Sequence, residues 1–238
     1  MSYERIDKIL ASQGTLSRAD VKALVKNREV KLNGKFVEKS DQKADPEHDI
    51  IEVSGKVLNF RRYIYIMMNK PSGVLSAAND KSAKTVIDLV PKSLFRNGLF
   101  PAGRLDKDTE GLLIITDDGD FAHRMLSPKH KVYKLYHAKI NGKITQQDIE
   151  LFKKGLVLSD GTQCLPAELE IVEEGEISVV SVKICEGKFH QVKKMLAAIG
   201  HEVLYLKRIQ IGSLTLFDNL HRGECRELTN IEKDLIFY

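Results

Sequence analysis

The sequence predicts an α+β protein in two parts. A small N-terminal unit of two helices and a hairpin precedes a larger unit built on a mixed, largely antiparallel sheet with flanking helices. Three observations lead there. Apolar–polar alternation marks more strands than helices, and most successive strands lack the helical crossover that parallel pairing needs. Two short helical patterns run straight into an Asn-Gly pair flanked by alternating residues. A boundary falls near Asn59–Arg62, ahead of the apolar run at 64–68, which divides the chain into residues 1–59 and 60–238.

Residues 4–13 read as a helix, with Ile6, Ile9 and Leu10 on one face and Gly14 as its stop. Ser17 is a predicted N-cap, with Asp20 three residues on to return the hydrogen bond. The helix that follows buries Val21, Leu24 and Val25. Residues 30–37 alternate around Asn33-Gly34, whose positions in a tight hairpin both want positive φ. A strand at 50–53 completes this unit. Beyond the boundary, 63–69 reads as a buried strand ending in the turn Lys70-Pro71-Ser72-Gly73. Residues 112–116 form a second, stopped by Asp117-Asp118-Gly119. Residues 131–140 alternate, with Val132, Lys134, Tyr136, Ala138 and Ile140 on one face. Thr145 caps a helix through Asp148 that Gly155 ends. Strands at 165–172 and 177–185 follow, then a helix over 189–199, a strand at 203–211 and a last helix capped by Thr229 with Glu232.

The 238 residues are 42% hydrophobic and 29% charged, enough apolar content for a packed core and against wholesale disorder. A net charge of +4 makes no case for nucleic acid by itself, so the placement of charge decides. Residues 5–35 hold eight basic residues against three acids, and residues 36–60 three against six. Arg18, Lys22 and Lys26 recur every four positions and line one helical stripe. A lone stripe fits a solvated face equally well. Two helices feeding a hairpin, all basic on one side, favour a phosphate backbone. Three dispersed cysteines argue against a disulfide framework or a zinc knuckle and fit a reducing compartment. The charged start from Glu4 onward reads against a signal peptide. No run approaches the roughly 20 apolar residues of a membrane helix. With no tryptophan, a flat ligand must stack on Tyr, Phe, His or Arg.

Two segments carry chemistry. Residues 103–111 (Gly-Arg-Leu-Asp-Lys-Asp-Thr-Glu-Gly) place three carboxylates and two cations in a loop feeding a buried strand, a rigid mount for a reactive group. A charged surface turn is the plain alternative. The three carboxylates share one short loop, so they do not make the opposed pair of a glycosidase. No companion cluster at ligand spacing supports a metal. Residues 186–195 (Glu-Gly-Lys-Phe-His-Gln-Val-Lys-Lys-Met) open a helix with basic first turns, and residues 183–210 hold six basic residues against two acids. That helix start can meet an anion. His190 alone fits a structural, hydrogen-bonding histidine better than a ligand.

Read together, these segments resemble the RsuA-type ribosomal RNA pseudouridine synthases, the family of RsuA, RluB, RluE and RluF. Gly103-Arg104-Leu105-Asp106, Asp108-Thr109, Gly111-Leu112-Leu113 and Thr116-Asp117-Asp118-Gly119 look like its catalytic signature. Met68-Asn69-Lys70-Pro71-Ser72-Gly73 matches its upstream strand and turn. Ser127-Pro128-Lys129-His130 with Lys134-Leu135-Tyr136 matches the segment bearing its aromatic residue. Glu186 to Met195, with Leu206-Lys207-Arg208 and Ile211-Gly212, matches its last motif. Residues 1–59 resemble the small αL RNA-binding domain of a ribosomal small-subunit protein.

The resemblance implies site-specific isomerisation of uridine to pseudouridine in small-subunit (16S) ribosomal RNA, without metal or cofactor. Asp106 takes the place of the essential aspartate, and Tyr136, rather than nearby Tyr133, that of the tyrosine packing on the target base. Lys188 stands where a basic residue pairs with the aspartate. Many relatives outside the subgroup have Arg there, whose fork Lys lacks. Leu135 stands where Thr is common. The RNA contacts expected on this reading are Arg5, Lys8, Ser17, Arg18, Lys22, Lys26, Arg28, Lys31 and Lys35 in the first part. In the second they are Lys70, Arg104, His190, Gln191, Lys193, Lys194 and Arg208, with Arg104 filling the flipped base's place or gripping a phosphate. Ser127-Pro128-Lys129-His130 and the compact C-terminus, without a basic tail, favour the small subunit. A cytoplasmic monomer with no membrane partner is expected. The alternatives are a synthase acting on large-subunit (23S) RNA and a non-catalytic ribosome-assembly factor that only binds RNA.

Overall fold

The computed structural model describes residues 3–14 and 16–238. They pack as two units, residues 1–64 with 91–99 and residues 65–90 with 100–238. The excursion at 91–99 was not foreseen. Arg96 donates to the carbonyls of Arg61 and Arg62 at 2.9 and 3.1 Å, and the Asn97 amide to those of Ala11 and Leu16, so these residues belong to the first unit.

In the first unit, β1 (Glu4–Arg5) pairs with β4 (Lys43–Ala44), which shortens the expected first helix to α1 (Ile6–Ser12). α2 (Arg18–Lys26) starts on the expected cap, since Ser17 Oγ accepts from Asp20 N at 3.1 Å and Asp20 accepts from Ser17 N at 2.7 Å. β2 (Val30–Leu32) and β3 (Lys35–Phe36) flank the Asn33-Gly34 turn, whose φ values of 50° and 80° suit Asn and Gly. β5 (Ile51–Val53) pairs with β2, and β6 (Lys56–Val57) closes the small sheet. Ile6, Ile9, Val21, Val30 and Ile51 form its core.

The second unit is one twisted sheet with flanking helices. In chain order it runs β7 (Tyr65–Lys70), β8 (Phe100–Ala102), β9 (Glu110–Thr116), α3 (Gly119–Leu126), β10 (Lys134–Asn141), α4 (Gln146–Lys154), β11 (Glu168–Glu173), β12 (Ile177–Ile184), α5 (Gln191–Ala198), β13 (Val203–Ile211), β14 (Leu214–Thr215), β15 (Cys225–Glu227) and α6 (Asn230–Leu235). The strand order is β11-β12-β10-β13-β9-β7-β15, with β8 beside β9 and β14 beside β13. Every described pairing along it is antiparallel except β13 with β9. Met67, Leu112, Ile114, Met125, Ile211 and Ile236 form the core beneath α3 and α6. β9 ends at Thr116, as the Asp117-Asp118-Gly119 stop predicts, and Asp118 also caps α3, a helix the sequence reading did not place, accepting from Phe121 N at 3.0 Å. Thr145 and Thr229 cap α4 and α6 as expected. Among the described residues no helix is long and apolar enough to cross a membrane.

Candidate active site

The loop 103–111 is held from below by buried groups. The Lys70 ammonium, at the end of β7 and with no solvent exposure, donates to the carbonyls of Pro71, Lys107 and Thr109 at 3.0, 3.1 and 2.9 Å. Burial holds its pKa down at about 8, against the opposing pull of Asp108, Glu110 and Asp106. Ser76 Oγ donates to Leu105 O and accepts from Leu105 N, and Gly73 N donates to Lys107 O. At the loop's far end Glu110 is buried, accepting from Tyr205 Oη at 2.7 Å and paired with Arg222 at 3.0 Å. Asp106 stands on this fixed loop with its side chain 24% exposed.

The second wall comes from strand register. Gly111 of β9, Arg208 of β13, Tyr136 of β10 and Val182 of β12 lie in one row across four strands. Gly111 has φ +102°, and a Cβ there would strike the Arg208 carbonyl, so only glycine allows this parallel contact. Arg208 Nε donates to Leu112 O at 2.8 Å and Nη1 to the Tyr136 phenol oxygen at 3.4 Å. Tyr136 is 8% exposed and faces the same slot as Asp106. Tyr133 lies on the other side of the sheet, lining a separate groove with Leu135 and His137. Alternation along β10 makes this separation. Lys134, two residues from Tyr136, is also buried, donates to Met125 O at 3.1 Å and is held to about 8 by burial and by Arg208.

The third wall is the turn into α5. His190 caps this helix in the left-handed region (φ 54°), and its Nε2 stands 3.5 Å from Asp106 Oδ1. Lys193, one turn on, places Nζ 3.7 Å from Asp106 Oδ2 and 2.6 Å from Asp108 Oδ1. The Lys193 hydrogen bond holds Asp108 below the usual carboxylate range. Here the expected ion pair is corrected. Lys188 lines the slot, but its ammonium sits 2.7 Å from Glu186 Oε2 and donates to Gln163 O at 2.6 Å. Glu186 is buried, and a buried carboxylate takes the nearest cation. The cation beside Asp106 is that of Lys193.

The expected RNA contacts divide. Arg18, Lys22, Lys26, Arg28 and Lys35 are exposed, Lys31 is partly so, and Arg104 is exposed at the slot. Arg5 is bound to Asp7 and Lys8 to Glu4, each at 2.6 Å, and Ser17 serves as a cap. Lys194 pairs with Asp160 at 2.7 Å. Lys70, Gln191 and Arg208 are buried, which corrects their assignment as RNA contacts. Gln191 instead accepts from Lys188 N and donates to Glu186. The sequence reading missed the Thr109 hydroxyl, buried in the slot wall with no hydrogen-bond partner among the described residues, and the bracing role of Lys134. The Lys-x-Tyr spacing was the available signal for Lys134.

A carboxylate on a braced loop beside an ammonium, with an inward tyrosine in the same slot, defines a site fitted to nucleophilic or general-base chemistry. The chain matches the RNA pseudouridylate synthase family over residues 64–198 and the S4 domain over residues 4–50. It is 44% identical to an RNA pseudouridine synthase of Bacillus subtilis, covering 98% of each chain. It is 39% identical to ribosomal small subunit pseudouridine synthase A of Vibrio cholerae (96% of this chain, 97% of the other). It is 37% identical to ribosomal large subunit pseudouridine synthase B of Bacillus subtilis (95% and 92%). A crystal structure of a pseudouridylate synthase superposes with a TM-score of 0.68 at 33% identity, covering 98% and 99%. The chain belongs to the RNA pseudouridylate synthase family and carries an S4 domain at its N-terminal end.

Proposed function

We propose that this synthase isomerises a specific uridine of ribosomal RNA, with small-subunit RNA as its substrate and Asp106 as the reacting carboxylate. The observation that carries the reading is Asp106 on its braced loop, 3.7 Å from the Lys193 ammonium, in one slot with Tyr136. The reaction breaks the N-glycosidic bond, turns the uracil and rejoins it to the ribose through carbon five. Atoms are conserved, so one carboxylate suffices, attacking the ribose or taking its proton. The Lys193 ammonium stands 3.7 Å from that carboxylate as its counter-charge. Tyr136 offers a face for the uracil and a phenol whose position Arg208 fixes.

The target base is reached by flipping, at a cost of a few kcal/mol. The exposed cations of the S4 unit and Arg104 supply the backbone binding that offsets it. We place the enzyme in the cytoplasm as a monomer. The large-subunit relative makes 23S RNA the second reading. Incubating the purified protein with unmodified transcripts of both subunits and mapping pseudouridine tests both. One new pseudouridine in the small-subunit transcript is expected. Modification of the large-subunit transcript alone moves the target, and none in either removes the activity.

A further inference from the structure

We infer that Phe189 is a stacking platform for an unpaired RNA base beside the target uridine, a subsite for a nucleobase just outside the reactive slot. The inference rests on the proposed function and deepens it. Phe189 is 70% exposed, so one face of its ring is open to a partner. It is not loose. Its ring stacks on His190 with centroids 3.8 Å apart and planes 21° from parallel. His190 in turn reaches Asp106 at 3.5 Å, so the two-ring stack ends on the reacting carboxylate. The Lys194 ammonium lies 5.6 Å from the Phe189 centroid and is held by Asp160 at 2.7 Å. An exposed aromatic face at the rim of a slot is a surface on which an unpaired base can stack. With no tryptophan in the chain, Phe189 is the exposed ring placed to do this. A stacked neighbour also compensates for the stacking lost when the target uridine leaves its helix or loop.

The test uses the full-length protein and the ribosomal RNA fragment it binds most tightly, with 2-aminopurine placed at one loop position at a time. Quenching at one position is expected on binding the wild type. It should be lost with Phe189→Ala and Phe189→Leu and kept with Phe189→Tyr. The Ala and Leu variants should raise KM roughly five- to a hundred-fold, with Tyr restoring it. Phe189 is exposed, and an unchanged melting temperature verifies that each variant folds. No quenching in the wild type, or quenching that survives Phe189→Ala, overturns the platform. So does retention by Phe189→Leu, which marks a merely apolar contact. Binding is read without turnover, so quenching by a protein that leaves both transcripts unmodified would sink the isomerisation and leave the platform standing.

Discussion

Arg18, Lys22 and Lys26 stand exposed along α2 with no carboxylate within 4 Å among the described residues. Lys188, Lys193 and Lys194 of the synthase unit each close an ion pair at 2.7 Å or less. The contrast extends inward, where Lys70 and Lys134 are buried and donate to carbonyls, and buried Arg208 donates through Nε to a carbonyl and through Nη1 to a phenol. The same residue types therefore do opposite work. Cations without partners keep their charge available for phosphates. Cations with partners shape a site, and Lys193 does so by standing between Asp106 and Asp108.

The sharpest way to break this comparison is Lys70→Met. It leaves the carbonyls of Pro71, Lys107 and Thr109 without their shared donor, and a loss of about 2–3 kcal/mol in chemical denaturation is expected, with a fall in kcat. A variant that unfolds earlier but turns over normally would show that the loop needs no brace. Next is the stripe. Changing Arg18, Lys22 and Lys26 together to Ala should weaken RNA binding about ten- to a hundred-fold and make the slope of log K against log salt shallower by about 2. Melting temperature should not move. An unaltered salt slope would reduce the stripe to a solvated face. Lys193→Met should do the converse, lowering single-turnover rate about ten-fold while RNA affinity stays within about two-fold.

Much of this division was invisible in the sequence. Local chemistry was legible: Ser17 with Asp20, Thr145 with Asp148 and Thr229 with Glu232 are caps set by residues three apart. The Lys-x-Tyr spacing singled out Tyr136 over Tyr133, and alternation along β10 sets the two on opposite faces because side-chain period in a strand is fixed. The partners of the cations were not legible. Lys188 and Lys193 read alike, and only the buried Glu186 and the left-handed turn at His190 decide which ammonium reaches Asp106. Lys70 and Arg208 look like surface cations until strand pairing buries them. α3 was missed because Asp118 serves both the end of β9 and the start of a helix.

The smallest effect concerns stability against pH. Arg226 holds the Glu232 pKa down at about 2, from an ordinary 4.5. A carboxylate depressed in the folded state contributes stability above 4.5 and loses it as pH falls toward 2. Glu232→Gln should cost about 1 kcal/mol at pH 7, with the gap to wild type closing through that window. A gap that is constant with pH would assign the loss to the α6 cap alone.

The most direct measurement is single-turnover pseudouridine formation by Asp106→Asn on the transcript that wild type modifies, with RNA affinity measured alongside. The substitution keeps the shape of the side chain and removes its charge. Turnover should fall by roughly a thousand-fold or more while affinity stays within about two-fold. Wild-type turnover from the amide would contradict the assignment of the chemistry to this carboxylate.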